Sequence, residues 1–308
     1  MSNKTKKIIL AKPRGFCAGV TRAVKIVERA LEKFGVPVFV KHQIVHNKRV
    51  VNALKKKGAR FVESLSEVPA GAVVIFSAHG VSPEVKKEAE EKGLKIIDAT
   101  CPLVNKVHIE ARKFYNNGYT VFFIGHKGHP EVVGVMGEAP LILIEKIEDI
   151  ENVEVKDPKK VACLTQTTLS LDDSVKIINA LKQKFPNLVF PPQSDICYAT
   201  QNRQRAVKSL LGKVDIVIVI GSKSSSNSNR LAEIAGRKGY LISDISEIDE
   251  DALENAKTIG ITAGASTPDT MVQEVIDYLK NKYHGSLIEE EKNANEDVVF
   301  ALPAELAD

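Results

Sequence analysis

The amino-acid sequence predicts an α/β fold with buried parallel sheets. Short apolar runs rich in Val, Ile and Phe end in glycine or in polar clusters, as strands buried on both faces do. These runs alternate with longer segments that repeat apolar residues every three or four positions, which is the helical period. Strands that alternate with helices of this length imply parallel α/β layers.

The individual elements follow from these two patterns in chain order. Residues 216–220 are uniformly apolar and end at Gly221, whereas residues 20–34 have the helical period. The predicted strands are 8–11, 36–41, 73–77, 95–98, 120–124, 161–164, 215–220 and 259–262. The predicted helices are 20–34, 83–92, 103–115, 171–185, 201–211, 229–237 and 269–280.

The composition is that of a globular chain. Hydrophobic residues make up 44% of the 308 residues and charged residues 27%, which argues against general disorder. The longest apolar runs are far shorter than the roughly 20 residues of a membrane span. The basic residues 4–7 are followed by only four apolar positions, too few for a secretory signal. We therefore expect a cytoplasmic protein with no membrane partner.

The charge is distributed unevenly along the chain. The formal net charge is +4, but the segment from Gly285 to the end has seven acids against Lys292, a balance of −6, which leaves +10 for the body. A basic body suggests an anionic ligand or an acidic partner, although a solvated lysine-rich surface explains it equally well. No aromatic-interleaved basic stripe or known motif indicates nucleic-acid binding.

An internal repeat underlies the alternation of strands and helices. Cys17, Cys101 and Cys197 each lie just before a predicted helix, and each helix leads to a strand and a polar loop. A later strand of each unit ends in a second polar cluster. The repeat predicts three α/β domains, at 14–98, 99–194 and 195–283, followed by an acidic tail at 284–308.

The polar segments of the repeat supply candidate ligand-binding residues. In each unit, the key residue of the first loop lies 28 or 29 positions after the cysteine. The key residue of the strand-end cluster lies 62 to 69 positions after the same cysteine. The first loops contain His46, then His129 and Glu131, then Ser225, Ser226 and Asn227. The strand-end clusters contain His79, then Thr167 and Thr168, then Ser266.

Three cysteines at matched positions indicate a metal centre. Each lies near a helix N-terminus, where exposed N–H groups favour the thiolate. Three thiolates can bind zinc with one open position, or an iron–sulfur cluster in which one iron lacks a protein ligand. The residues alone leave both alternatives open. Cys163 breaks the pattern, since it lies inside an apolar strand and is predicted to be a core residue.

The polar loops look suited to phosphate. The segment GSKSSSN (221–227) offers hydroxyls, an amide and N–H groups at a helix start, an anion site that is not a Walker A motif. A helix cap without a ligand is the simpler alternative. The three matched histidines favour diphosphate donors over metal ligands. Glu131 is the carboxylate embedded in these loops, so it is the candidate proton donor, unless it serves only the helix dipole.

Eight ordered motifs carry a family resemblance. They are PRGFCAGV (13–20), IVHN (44–47), SAHGV (77–81), DATCPLV (98–104), GHPEV (128–132), QTTLS (166–170), DICYAT (195–200) and SSNSNR (225–230). Together they resemble the 4-hydroxy-3-methylbut-2-enyl diphosphate reductase family, the last enzymes of the methylerythritol phosphate route to isoprenoids. The resemblance runs from residue 13 to about residue 281, and VVFALPAEL (298–306) is also like the family's C-terminus.

The resemblance implies a fold and a cofactor. The three α/β domains would form a trefoil around a central 4Fe–4S cluster held by Cys17, Cys101 and Cys197, with one open iron site. The implied reaction takes two electrons, from a reduced flavodoxin or ferredoxin, and two protons. It removes the hydroxyl of an allylic diphosphate as water and yields isopentenyl and dimethylallyl diphosphates.

The resemblance also assigns roles to the loop residues. Thr167 or Thr168 would orient the reacting end of the substrate, and Glu131 would supply the proton. The diphosphate would be bound by His46, His79, His129, Ser225, Ser226, Asn227 and Ser266.

Other classes of function remain as alternatives to the reductase. One is a cysteine-liganded zinc hydrolase that acts on a diphosphate compound, and another is a non-catalytic nucleotide-binding module. An RNA-binding protein is a third, distinguished by strongly salt-dependent affinity. The colour and iron content of protein prepared without air separate these readings from an iron–sulfur enzyme.

Overall fold

The computed structural model describes residues 5–283 and 287–307, and it confirms the α/β class. Within these residues every strand pairing is parallel. The strands are β1 Lys7–Lys12, β2 Val38–Lys41, β3 Ala59–Val62, β4 Val73–Phe76, β5 Lys95–Asp98, β6 Thr120–Ile124, β7 Ile142–Ile144, β8 Val161–Thr165, β9 Ile216–Ile220, β10 Gly239–Ile242, β11 Thr258–Ala263 and β12 Leu287–Lys292.

The helices lie between the strands, as the sequence predicts. They are α1 Ala18–Phe34, α2 Lys48–Lys56, α3 Pro83–Glu91, α4 Pro102–Asn116, α5 Pro130–Met136, α6 Leu171–Lys184, α7 Tyr198–Leu210, α8 Ser226–Ala235, α9 Glu250–Asn255 and α10 Asp269–Lys282. All the predicted strands and helices are present, with ends that shift by no more than three residues.

The elements that the sequence analysis missed are short. They include α2, α5, α9, β3, β7, β10 and β12. Helix α5 has seven residues and begins at Pro130, inside a segment predicted as a loop. A run of two helical turns holds too few apolar positions to display a period.

The described residues cluster into two compact units. Unit 1 contains the described residues of Met1–Ala18, His46–Val50 and Tyr198–Val298. Unit 2 contains those of Gly19–Val45, Val51–Cys197 and Val299–Asp308. The division into three domains at 14–98, 99–194 and 195–283 stays a prediction. Of the predicted tail at 284–308, residues 284–286 and 308 lie outside the described residues.

Unit 1 is built on a five-stranded sheet with the order β10-β9-β11-β1-β12. Apolar side chains cover both faces: one core includes Ile8, Ile218 and Ile261, and the other includes Ile9 and Val217. The loops after β1, β11 and β9 leave from neighbouring strands at the carboxyl edge. Ligands of open α/β sheets bind at this edge.

The acidic tail is part of this sheet. Strand β12 pairs with β1, and its acids face basic residues of unit 1. Glu289 pairs with Lys7 at 2.8 Å, Glu290 with Lys12 and Arg14 at 2.9 Å, and Glu291 with Lys213 at 2.5 Å. The net charge of +10 on the body is therefore partly compensated, because acids of the tail form ion pairs with its basic residues.

Unit 2 contains a four-stranded sheet, β3-β2-β4-β5, and a three-stranded sheet, β7-β6-β8. Polar segments follow β4, β5, β6 and β8 at the carboxyl ends of these strands. Phe76, Phe122 and Phe123 are fully buried in the cores beneath them. Among the described residues, no helix is both long enough and apolar enough to cross a membrane.

Candidate active site

Three cysteines occupy the same local position, directly before the first residue of a helix. Cys17 precedes α1, Cys101 precedes α4 and Cys197 precedes α7. Each cysteine N–H donates to a strand-end carbonyl: Cys17 to Ala265 at 3.1 Å, Cys101 to Ala78 at 3.0 Å and Cys197 to Thr167 at 3.0 Å. This repeated hydrogen bond holds each thiol at a helix start.

The fourth cysteine differs from these three in its position and in its burial. Cys163 lies in β8 and is buried in the core of unit 2, as predicted. Burial raises the pKa of its thiol, and the charge of Asp195 raises it further. Cys17, Cys101 and Cys197 are instead partly exposed. The thiols suited to binding a metal are therefore these three.

Cysteine thiolates can hold either a single metal ion or an iron–sulfur cluster. In the part of the chain that the structure describes, no group of three or more His, Cys, Asp or Glu side chains is gathered to hold one metal ion.

A buried arginine fixes the loop of Cys17. The Arg203 side chain is 0% exposed and donates to the Gly15 carbonyl from Nη2 at 2.7 Å and from Nε at 3.1 Å. Its Nη1 pairs with Glu296 at 3.0 Å, which neutralises the buried charge. Arg203 was not among the predicted site residues, although a lone arginine in the apolar face of a predicted helix was the available signal.

A second arginine lies beside Cys101. Arg22 Nη1 donates to the carbonyl of Thr100 at 3.1 Å. Burial lowers the pKa of Arg22, while the negative charges of Cys101 and Asp98 oppose this shift. A guanidinium remains charged in proteins, so Arg22 places a positive charge beside Cys101. This residue was also missed, because nothing in its spacing marks it.

The hydroxyl and amide candidates of unit 1 meet at the carboxyl edge of its sheet. Ser225 caps α8 and accepts a hydrogen bond from the Ser228 N–H. Asn227 Oδ1 accepts from the Ala265 N–H at 2.8 Å, while its buried Nδ2 has no hydrogen-bond partner among the described residues. Ser266 Oγ donates to the His46 carbonyl at 3.1 Å. Asn227 Nδ2 is therefore a buried donor available to an anion. Ser226 is the first residue of α8.

The histidine candidates of unit 2 face each other. The rings of His79 and His129 are in edge contact, with centroids 5.7 Å apart and planes at 88°. His129 caps α5, and its Nδ1 accepts the N–H of Glu131 at 3.2 Å. With Nδ1 as acceptor, Nε2 carries the proton in the neutral ring. His129 is thereby set as a donor.

Glu131 and Thr167 form a buried pair at the start of α5. Glu131 is 2% exposed, and its Oε1 accepts the Thr167 N–H at 2.6 Å while its Oε2 accepts the Thr167 hydroxyl at 2.8 Å. Burial raises the pKa of Glu131 to about 7, although both hydrogen bonds from Thr167 lower it. Glu131 can therefore hold a proton near neutral pH and release it.

Thr168 is turned toward its own loop. Its Oγ1 accepts a hydrogen bond from Gln166 Nε2 at 3.0 Å, and Gln166 Oε1 in turn accepts the His126 N–H. Of the two threonines, Thr167 alone contacts Glu131 among the hydrogen bonds described. The arrangement in unit 2 thus combines hydrogen-bond donors for an anion with a protonatable carboxyl group.

Comparison with known proteins agrees with this chemistry. The model of the LytB protein family matches residues 8–280. The chain is 53% identical to a Streptomyces coelicolor 4-hydroxy-3-methylbut-2-enyl diphosphate reductase, over 98% of this chain and 90% of that protein. It is 52% identical to the Methylococcus capsulatus protein of the same name, over 97% and 98% respectively.

Solved structures of similar proteins match as well. The E-1-hydroxy-2-methyl-but-2-enyl-4-diphosphate reductase of Plasmodium falciparum is 40% identical and has a TM-score of 0.95, over 98% of this chain and 97% of that one. A second structure, of an (E)-4-hydroxy-3-methyl-but-2-enyl diphosphate reductase, is 35% identical with a TM-score of 0.65, over 90% and 100%. The chain belongs to the LytB protein family.

Proposed function

We propose that the chain is an oxidoreductase that converts 4-hydroxy-3-methylbut-2-enyl diphosphate to isopentenyl and dimethylallyl diphosphates. The allylic C–O bond breaks, two electrons and two protons are taken up, and the oxygen leaves as water. This reaction ends the methylerythritol phosphate route. The observation that carries the proposal is the buried Glu131–Thr167 pair beside His129, in a chain about half identical to named reductases.

The direct test is anaerobic turnover. Protein prepared without air and given a chemical reductant should consume the allylic diphosphate and release both five-carbon diphosphates, identified by mass spectrometry. Brown, iron-containing protein is expected. Colourless protein with bound zinc would favour the hydrolase alternative. The relatives reported above all carry the reductase name, which leaves the hydrolase and nucleotide-binding alternatives without support.

The proposed cofactor is one 4Fe–4S cluster with Cys17, Cys101 and Cys197 as ligands and one open iron site. When bound, it supplies electrons and Lewis acidity at the hydroxyl end of the substrate. The matched main-chain hydrogen bonds of the three cysteines and their partial exposure support this ligand set. Arg203 and Arg22 hold the loops of Cys17 and Cys101.

The diphosphate is proposed to bind through shared donors rather than one strong group. The candidates are His46, His79, His129, Ser225, Ser226, Asn227 and Ser266. Asn227 Nδ2 is the best supported, because a buried donor without a partner costs free energy that an anion would recover. His129 Nε2 is the next, since its tautomer is set by the Glu131 N–H.

The proton is proposed to come from Glu131. Thr167 donates to both carboxylate oxygens of Glu131 and so supports the orientation of the proton donor, and its hydroxyl is proposed to orient the reacting end of the substrate. Thr168 is the less favoured of the two threonines, because its hydroxyl bonds to Gln166 rather than to the proposed proton donor Glu131. A cytoplasmic location stays a prediction.

The cysteine assignment predicts a selective loss of iron. Serine in place of Cys17, Cys101 or Cys197 should each lower bound iron and visible absorbance severely, because a hydroxyl is a poor substitute for thiolate. Cys163→Ser is the matched control, and it should retain iron since that thiol is buried in the core. Equal iron in all four reconstituted variants would remove the three-cysteine site.

The diphosphate site predicts a strong effect of one isosteric change. Asn227→Asp keeps the oxygen that accepts from Ala265 but replaces the free amide with a negative oxygen. Loss of a hydrogen bond to a charged group costs about 1.5–3 kcal/mol, so substrate affinity should fall at least about tenfold while iron is retained. Calorimetric titration with the substrate measures this change in affinity.

Asn255→Asp provides the control for charge, because that exposed side chain on α9 donates only to the Asp251 carbonyl. Its affinity for substrate should equal that of the parent. An Asn227→Asp protein with unchanged affinity would contradict the placement of the diphosphate at the start of α8.

The proton-donor assignment predicts a catalytic defect without a binding defect. Glu131→Gln preserves shape and can still bond to Thr167, so iron content and substrate binding should persist. Turnover should fall by about 10²–10⁴, the usual contribution of a general acid. In the parent, kcat should decline above about pH 7 as Glu131 loses its proton, and the variant should lack this limb. A variant within a few-fold of the parent would show that another group supplies the proton.

Glu131→Gln should also change how the melting temperature depends on pH. The folded-state pKa of Glu131 is about 7, above its unfolded value of about 4.3, so the stability it contributes is present at low pH and is lost as pH rises toward 7. The melting temperature of Glu131→Gln relative to the parent should therefore increase from pH 5 to pH 8.

The electron donor is proposed to be a reduced flavodoxin or ferredoxin that docks through charge. Because β12 compensates part of the basic body, the steering should be modest. Donor-dependent turnover should fall about two- to fivefold as ionic strength rises from about 0.05 to 0.5 M. A small artificial reductant serves as the control and should change little. Identical salt profiles for both reductants would argue against charged docking.

A further inference from the structure

We propose that His108 is a positioning residue that sets the spacing between the His79 loop and helix α5. This inference rests on the proposed function, because it concerns the diphosphate donors and the proton donor of that site. His108 lies in α4, two turns after Cys101, and is 4% exposed. Neither the motifs nor the repeat drew attention to it.

The ring of His108 lies directly against two glycines. A Cβ built on Gly80 would be 2.6 Å from His108 Nε2, and one built on Gly134 would be 3.2 Å from His108 Cε1. The same Gly134 position is 3.4 Å from the Gly80 main-chain carbon. The edge of the imidazole therefore fills the point where the two backbones approach each other, and neither backbone can close further.

Each glycine is adjacent to a proposed site residue. Gly80 follows His79 and has a φ of 78°, a conformation that suits glycine. Gly134 lies in α5, one turn after Glu131, and His129 caps the same helix. The edge contact of the His79 and His129 rings therefore depends on the spacing that His108 imposes.

The other side of the imidazole is anchored. His108 Nδ1 is 2.7 Å from Glu138 Oε1, and Glu138 is paired in turn with Arg112 at 3.1 Å. Burial lowers the pKa of His108, although Glu138 opposes this. The ring is therefore neutral near pH 7, with Nδ1 donating to Glu138. Its Nε2 has no hydrogen-bond partner among the described residues.

This combination distinguishes His108 from an ordinary core residue. An apolar side chain of similar size would fill the space without leaving a buried nitrogen unsatisfied. Imidazole instead gives a rigid plane that Glu138 fixes in rotation. A rigid, externally anchored spacer is what a site needs when an error of about 1 Å costs up to about a hundredfold in rate.

The first test distinguishes the hydrogen bond between His108 and Glu138 from the contact of the His108 ring with the two glycines. His108→Asn keeps a donor for Glu138 but removes the ring atoms that contact Gly80 and Gly134. We expect pyrophosphate affinity and kcat each to fall about tenfold, with iron content unchanged. The control is Arg112→Met, which weakens only the half-exposed end of the network and should lower the melting temperature without changing affinity or kcat.

A second substitution tests the spacing directly. Gly134→Ala favours the helix, because alanine has the higher helix propensity, but it places a methyl 3.2 Å from the His108 ring. Alone it should weaken pyrophosphate binding without lowering the melting temperature. Combined with His108→Asn, the methyl occupies vacated space, and affinity should return toward that of the parent. This rescue is not expected of a residue that only stabilises the core.

The outcomes are decisive in either direction. A His108→Asn protein that loses melting temperature but keeps parental affinity and kcat would overturn the proposal, as would additive effects in the double variant. Should His108→Asn fail to fold, the Gly134→Ala result alone decides. A parent that binds pyrophosphate but does not reduce the allylic diphosphate would contradict the proposed function and leave the binding test of His108 intact.

Discussion

The site depends on one constraint, the hydrogen bond that ties each helix start to a neighbouring strand end. A parallel strand delivers its chain to the carboxyl edge of the sheet, where the next helix begins with unpaired N–H groups. At Cys17, Cys101 and Cys197 the cysteine N–H is bound to a strand-end carbonyl. The thiol is thereby held beside the helix N-terminus without a dedicated structure, and three repeats yield three such thiols.

The polar machinery of each unit uses the same edge. Asn227 reaches back to Ala265, and Glu131 reaches across to Thr167, so residues from different strand ends are joined by short bonds. Burial raises the pKa of Glu131 while Thr167 holds its oxygens in place. The fixed position of the Glu131 carboxyl group and its raised pKa therefore come from the same packing. His108 lies against the backbones of the His79 loop and helix α5, which carry the proposed diphosphate and proton donors.

Much of the fold was predictable because it rests on long patterns. Strands such as β9 and helices such as α1 hold enough apolar positions to fix their type. The apolar strand around Cys163 also predicted its core position. The motif spacing supplied the candidate site residues, whose roles stay a prediction. Helix α5 was not predictable, since seven residues show no period.

Other features depend on tertiary contacts that leave no local trace. Arg203 is buried only because Gly15 and Glu296 meet it, and His108 matters only because two glycines lie against it. The residues alone did not distinguish iron from zinc, because thiolates bind both metals. That choice came from the family resemblance.

Strand β12 has a consequence beyond charge. It occupies the outer side of β1, whose side chains Ile8, Ile9 and Leu10 are buried. An apolar strand with an uncovered edge offers its N–H and C=O groups to any other chain. The final strand moves this outer edge away from the buried side chains of β1 and lines it with glutamates and their basic partners. A charged edge strand is a poorer template for another chain than an apolar one, so β12 is expected to disfavour edge-to-edge aggregation.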